Sequence, residues 1–219
     1  MKGKFILILL LIVLLPGCKV KTPQQDFHDR IDKLIELGVT GITNDIVLDV
    51  EEWYREQGEF YNPYGYSPVL DVLGWVGMGE YGDDGWILPE SNICSISAEV
   101  MYVDTMYTDL LRAVSMVSGG EVVFTQVSED WSGVSLESGH GKVTISFVYE
   151  GEVHVLTATA TYDWMDFGVL DDVCDILKKD GDDKQLYYIS DEVSGVIIFY
   201  NTKEWMKEFR GITGFQVYG

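Results

Sequence analysis

"KVTISFVYEGEVHVLTATATY", residues 142–162, decides the fold class of this chain. Two runs, 142–149 and 152–162, are rich in β-branched and aromatic residues and flank the turn pair Glu150-Gly151. Strand-forming runs on either side of a short glycine-containing turn predict a β-hairpin. Because the two strands of a hairpin run in opposite directions, we expect them to lie in an antiparallel sheet.

A second hairpin and several helices surround this unit. Apolar residues recur at helical spacing in five segments, whose ends carry capping residues or glycines. The predicted helices are one before Gly38, one from 44 or 45 towards 57, two at 108–117 and about 166–179, and a last one from 201 or 202. The other predicted strands are 93–103, 121–127, 185–190 and 195–200. This order predicts a single α+β domain over 26–219, with a mainly antiparallel sheet and helices packed on one face.

The charge of the chain is strongly negative. Its 219 residues include 36 Asp and Glu against 15 Lys and Arg, which gives a formal net charge of −21 at pH 7. Such a surface repels the phosphate backbone of nucleic acids and anionic lipid headgroups alike, so we expect no nucleic-acid partner. A solvated acidic surface is the simplest interpretation, and attraction of basic partners or cations is the alternative.

The N-terminal segment has the pattern of a secretory signal. Every residue from Phe5 to Leu15 is apolar, and Lys2 and Lys4 precede this run. Eleven apolar residues are too few for a helix that spans a bilayer, which needs about 20. A short apolar core behind a basic start is typical of a signal peptide.

The signal ends in "LPGC", residues 15–18, which resembles the bacterial lipobox of an aliphatic, a variable and a small residue before a cysteine. This resemblance implies that the sulfur of Cys18 receives a diacylglyceryl group and that the signal peptide 1–17 is removed. The protein would then be a lipoprotein of the cell membrane, anchored through its lipid and facing outside the cytoplasm, with 18–25 as a short tether. A plain secretory signal or membrane anchor that happens to carry a cysteine is the alternative.

Two further cysteines are predicted to lie in the core. Cys94 shares an alternating face with apolar residues of a strand, and Cys174 lies at helical spacing with apolar residues of a helix. Buried cysteines commonly behave as small apolar side chains. Outside the cytoplasm the two residues could also pair, so the sequence leaves a disulfide open.

One set of residues suggests catalysis. The order Cys94, His154, Asp163 is similar to the Cys-His-Asp arrangement of transglutaminase-like and papain-like cysteine hydrolases. Those enzymes usually place the cysteine at a helix N-terminus, which favours the thiolate, whereas Cys94 lies in a predicted strand. His154 and Asp163 are nine positions apart in one strand, about 30 Å at 3.3 Å per residue, and on opposite faces. A cysteine hydrolase that uses Cys94 and His154 with another acid remains the alternative to a non-enzymatic protein.

The sequence supports no metal or cofactor site. The three histidines, His28, His140 and His154, do not form a cluster with the spacing of metal ligands. Acidic turns at 82–85 and 180–184 do not match the calcium-loop pattern of ligands at alternate positions with a glycine in sixth place. We therefore expect neither a metal nor a cofactor.

The candidate binding surface lies in a long segment at about 58–89, which is rich in glycine and aromatic residues and is predicted to be a loop. Aromatic side chains beside glycines offer large contact areas for a protein or small ligand. We expect this segment to form the surface with the corner "YDWMDF", 162–167. The alternative is that its rings cover the sheet and that Asp166 caps the following helix. The predicted residues of this surface are Tyr64, Tyr66, Trp75, Trp86, Asp163 and Trp164. The sequence thus favours an anchored binding or interaction module of unknown ligand.

Overall fold

The computed structural model describes residues 21–58, 67–83, 85–178, 183–190 and 195–219. The predicted anchor residue Cys18 and the predicted binding residues Tyr64 and Tyr66 lie outside the described residues. The order of elements is α1 (Pro23–Glu36), α2 (Asn44–Glu56), α3 (Pro68–Gly77), β1 (Glu80–Gly82), β2 (Gly85–Ile87), β3 (Ile93–Ser97), a 3₁₀ turn (Val103–Thr105), α4 (Met106–Val117), β4 (Thr125–Val134), β5 (His140–Tyr149), β6 (Glu152–Thr161), α5 (Gly168–Leu177), β7 (Lys184–Ser190), β8 (Gly195–Thr202) and α6 (Lys203–Thr213).

The strands form three antiparallel sheets, so the predicted α+β fold is confirmed. A central sheet has the strand order β3-β8-β7, a second sheet has the order β4-β5-β6, and β1 pairs with β2 as a short hairpin. The two hairpins predicted from the sequence are β5-β6 and β7-β8. In the first of them, Glu150 and Gly151 both have positive φ, 51° and 85°, as a two-residue turn of this kind requires.

The central sheet separates two hydrophobic cores. Side chains of one face, such as Ile197 and Phe199, pack with α1, α2, α3 and α6. Side chains of the other face, such as Cys94 and Ile198, pack with α4, α5 and the inner face of the second sheet. Helices therefore lie on one face of the second sheet, as predicted, but on both faces of the central one. The nearly continuous apolar sequence of β7 and β8 reflects burial on both sides.

The predicted loop at 58–89 is not a loop throughout. Residues Pro68–Gly77 form α3, which Ser67 caps by accepting a hydrogen bond from the backbone N–H of Val69, with Pro68 in the first turn. Its buried residues Val69, Val72, Leu73 and Val76 follow the i, i+3, i+4, i+7 spacing of a helix. Glu80–Gly82 and Gly85–Ile87 then pair as the β1-β2 hairpin.

Three boundaries also differ from the predictions. α1 begins at Pro23, inside the predicted tether 18–25, and Thr22 and Gln25 form its capping box. The strand predicted at 93–103 ends at Ser97, because the backbone beyond it bonds to the chain around Asp163. The strand predicted at 121–127 is displaced to Thr125–Val134, which pairs with β5 through two irregularities in register. Within the described part of the chain, no helix is long and apolar enough to cross a membrane.

Candidate binding site

A pocket of about 380 Å³ opens between α3, the β1-β2 hairpin and the central sheet. It contains two of the residues predicted from the sequence, Trp75 on α3 and Trp86 on β2. We call it the aromatic pocket and define it by six of its lining residues: Trp75, Met78, Tyr81, Trp86, Tyr102 and Met165. Its floor includes Ile96 of β3 and Val196 of β8.

The helix α3, which forms one wall of the aromatic pocket, is held in place by its contacts with the core and with α2. The side of α3 that faces the core is buried, whereas Trp75 on its other side is 58% exposed. Tyr54 of α2 is buried and donates a hydrogen bond from its hydroxyl to Oδ2 of Asp71 at 2.6 Å. Burial and this carboxylate together raise the pKa of Tyr54 far above its ordinary value, so its proton stays in place to hold α3 against α2.

Two glycines at the end of α3 allow a close approach to the neighbouring strands. A Cβ on Gly77 would lie 2.7 Å from the backbone nitrogen of Ser95, so α3 and β3 touch through their backbones. A Cβ on Gly79 would collide with the indole Nε1 of Trp86 and with the carbonyl oxygen of Ile87. Glycine at 79 therefore lets the buried ring of Trp86 form part of the pocket wall.

The β1-β2 hairpin is attached to the rest of the domain by polar contacts. Tyr102 donates a hydrogen bond to the carbonyl oxygen of Gly82 at 2.8 Å, and its ring lies 5.7 Å from that of Tyr81. Arg112 of α4 donates to the carbonyl oxygen of Trp86 at 3.4 Å. These contacts hold the aromatic rings of the hairpin over the sheet.

Acidic side chains give the aromatic pocket a polar edge. Asp71 and Asp109 both line it. Asp109 pairs with Arg112 at 2.6 Å and accepts a hydrogen bond from the hydroxyl of Thr105 at 3.0 Å. Burial, followed by the nearby charge of Asp109, raises the pKa of Tyr81, so this phenol remains a neutral donor at the rim. The pocket is thus lined mainly by apolar side chains together with two carboxylates, one of which is paired with Arg112.

The predicted corner at Asp163 lies beside the aromatic pocket but does not line it. The carbonyl oxygen of Asp163 accepts a hydrogen bond from Val100 at 2.9 Å, and Met165 donates to Ala98 at 2.7 Å. Val100 and Met165 line the pocket, whereas Asp163 and Trp164 do not. The ring of Trp164 is 44% exposed next to it.

Asp166 explains the turn after this corner. Its Oδ1 accepts a hydrogen bond from the N–H of Gly168, the first residue of α5, at 3.0 Å. Its Oδ2 accepts from the N–H of Thr159 in β6 at 2.8 Å. The carboxylate therefore joins the start of α5 to an edge strand. Phe167, however, is the N-cap of α5 and no side chain caps this helix, so the predicted N-cap role of Asp166 is wrong by one position.

The alternative cysteine hydrolase receives no support from the geometry. Cys94 is 0% exposed, and burial raises the pKa of its thiol well above the ordinary value, whereas a nucleophilic cysteine needs a thiolate and an approach for substrate. Its sulfur makes no hydrogen bond with His154, whose ring instead stacks on Phe147 at 5.4 Å. Cys174 is also free and buried, with its pKa raised to about 12, chiefly by burial.

The histidines do not assemble a metal site in the described part of the chain. No group of three or more His, Cys, Asp or Glu side chains there is arranged to hold an ion. His28 lies 3.0 Å from the buried carboxylate of Glu51, and His140 packs its ring against Tyr162.

The sequence did not reveal several pocket residues. Met165 and Tyr102 come from segments far from α3, and nothing in their local pattern marks them as parts of one pocket. A signal did exist for α3 itself, since a serine and a proline precede four apolar residues at helical spacing.

In comparisons with known proteins, no family model, no curated protein and no solved structure matched this chain.

Proposed function

We propose that this chain is a lipid-anchored, non-enzymatic binding module that faces outside the cytoplasm. In this proposal the aromatic pocket receives an apolar side chain of a basic partner protein. The N-terminal signal with Cys18 supplies the anchor, and the folded domain supplies the binding surface.

The observation that carries the proposal is the combination of a pocket with an exposed apolar rim. Trp75, Met78 and Tyr81 line the aromatic pocket, and each of them is about half exposed. A volume of about 380 Å³ is near the lower end of the range for ligand pockets, roughly 300 to 1,000 Å³. A small molecule that fills this volume would leave the outer parts of the three rim side chains in water, whereas a protein surface would cover them as well.

Charge favours a basic partner. The chain has a net charge of −21, and Asp71 and Asp109 line the pocket, with Asp109 also paired with Arg112. Complementary charge around an apolar centre accelerates encounter and excludes acidic competitors. A partner with Lys and Arg around an exposed apolar or aromatic side chain fits both features.

The first experiment measures whether the pocket binds apolar groups at all. N-phenylnaphthylamine, a neutral dye whose fluorescence rises in apolar surroundings, is titrated into the protein. We expect saturable binding at one site that Trp75→Ala weakens about 30-fold, the factor for a loss of about 2 kcal/mol at a central aromatic residue.

Trp53→Ala is the matched control for this titration. Trp53 lies on α2, is 53% exposed and does not line the pocket, so its removal should leave dye affinity unchanged. Equal losses in the two variants, or no saturable binding to the parent protein, would contradict the assignment of the site.

The anchor is tested separately by mass spectrometry of the membrane fraction from cells that express the full chain. We expect an N-terminal peptide that begins at an acylated Cys18. An unmodified mature protein in the medium would refute the anchor without affecting the pocket.

A further inference from the structure

A basic stripe on α6 interrupts the acidic surface of the domain. Lys203, Lys207 and Arg210 are all exposed. At 3.6 residues per turn they fall within an arc of about 60° on one side of the helix. Together with Tyr187 and Met206 they line a surface depression of about 230 Å³. Three cations thus converge on one place in a chain whose net charge is −21.

These three cations have no carboxylate partner among the described residues, unlike several others in the protein. Arg30, Arg55, Arg112 and Lys184 each pair with an Asp or Glu. Like charges at neighbouring positions of a helix repel one another and destabilise it slightly. An anionic surface outside the domain would remove this repulsion.

The position of α6 brings the stripe close to the predicted anchor. Arg30 of α1 donates hydrogen bonds to the carbonyl oxygens of Ile212 and Thr213 at the end of α6, at 3.1 and 3.0 Å. Trp205, near the start of α6, donates to the carbonyl oxygen of Leu37, just after α1, at 2.8 Å. The two helices therefore run antiparallel, and the N-terminal end of α1 lies beside the C-terminal end of α6.

The length of the chain before α1 limits how far this side of the domain can be from the bilayer. Only four residues separate Cys18 from Pro23. A fully extended chain covers at most about 3.6 Å per residue, so the linkage from Cys18 to Pro23 spans no more than about 18 Å. With Cys18 at the membrane surface, the start of α1 and the neighbouring C-terminal end of α6 stay close to the lipid headgroups.

We propose that the stripe of Lys203, Lys207 and Arg210 rests on anionic phospholipid headgroups and fixes the orientation of the anchored domain. This proposal depends on the lipid anchor of the proposed function. Each basic residue near an anionic membrane favours the bound orientation about fivefold. Glu204 and Glu208 of α6 are also exposed, but they lie at least about 60° further around the helix than the stripe. Acidic side chains more than about 8 to 10 Å away oppose the contact only weakly, because salt screens their charge.

The test uses the acylated full chain, purified in detergent and reconstituted into vesicles of phosphatidylcholine alone or of phosphatidylcholine with phosphatidylglycerol. Lysine amines are acetylated for increasing times, and the rate at each lysine is measured by mass spectrometry. Lys142 is the internal reference, because it lies on the exposed face of the second sheet, away from α6. We expect Lys203 and Lys207 to react at least about fivefold more slowly than Lys142 only in the anionic vesicles.

Two variants with the same change of charge sharpen the result. Arg210→Glu should restore most of the reactivity of Lys203 and Lys207, whereas Lys178→Glu, at the end of α5, should not. Vesicle flotation separates the two proposals. A chain that floats with both vesicle types but shows equal relative rates overturns the α6 surface alone, and a chain that floats with neither overturns the anchor and the surface together.

Discussion

Substitution of Gly79 by alanine tests how tightly the aromatic pocket is built. The added Cβ would meet Trp86 Nε1 and the carbonyl oxygen of Ile87, both closer than the 3.0 Å below which Cβ contacts essentially never occur. One of these atoms belongs to the backbone, so the β1-β2 hairpin has to shift. Overpacking of this kind costs about 1 to 3 kcal/mol in the free energy of unfolding.

Gly74→Ala is the matched control, because Gly74 also lines the pocket but a Cβ there would have no neighbour within 4 Å. Gly74 lies in α3, where alanine should stabilise the protein by about 0.5 to 1 kcal/mol. The two variants should therefore differ by about 1.5 to 4 kcal/mol in the free energy of unfolding.

Thermal unfolding followed by circular dichroism measures this difference. For a domain of this size 1 kcal/mol corresponds to about 2 to 4 °C, so Tm of the Gly79 variant should lie roughly 3 to 16 °C below that of the Gly74 variant. In the Gly79 variant the buried Trp86 should also become more accessible to acrylamide. Equal Tm values, or a Gly79 variant as stable as the parent, would refute the close packing of the hairpin on which the pocket depends.

Three further predictions concern buried polar and titratable groups. Tyr54→Phe should lower the free energy of unfolding by about 1.5 to 3 kcal/mol in urea titrations, because it removes the hydrogen bond to Asp71; an unchanged midpoint would show that the bond contributes nothing. Burial raises the pKa of Glu129 above its ordinary 4.5, so the folded state binds this proton more tightly than the unfolded state. The free energy of unfolding should therefore fall as the pH rises from the ordinary pKa through the pKa of the folded state. Glu129→Gln should flatten that part of the pH profile of unfolding, and an unaltered profile would contradict the assignment. Cys94 and Cys174 should resist maleimide in the native protein and react together in urea; rapid native labelling of Cys94 would reopen the hydrolase alternative.

Much of the fold could be predicted because its signals are local. The turn at Glu150-Gly151 and the strands around it are determined by neighbouring residues, as are the cap and apolar face of α2. The helix α3 was missed because its composition, with two glycines and a tryptophan, resembles the aromatic loop around it. Its buried positions nevertheless follow helical spacing, so the sequence did carry the pattern of a helix although its composition is typical of a loop.

The aromatic pocket could be predicted only in part. Trp75 and Trp86 belong to one segment whose aromatic content is visible in the sequence, and both line the pocket. Met165 and Val196 join them through strand pairing and hydrogen bonds between distant segments, which no local pattern reveals. The same limit explains Asp163, whose backbone supports the pocket although its side chain does not line it.

Photocrosslinking in the native envelope tests the central claim most directly. A photoreactive phenylalanine analogue replaces Trp75 in the aromatic pocket, or Trp53 on α2 as the control, in the acylated full chain. After irradiation of intact cells, we predict that position 75 forms a discrete adduct with a basic protein, that high salt reduces its yield, and that position 53 forms none. A small-molecule adduct at position 75 would show that the pocket binds a small ligand and would contradict the protein partner. The same adducts from both positions, or none from position 75, would contradict a binding function of the aromatic pocket.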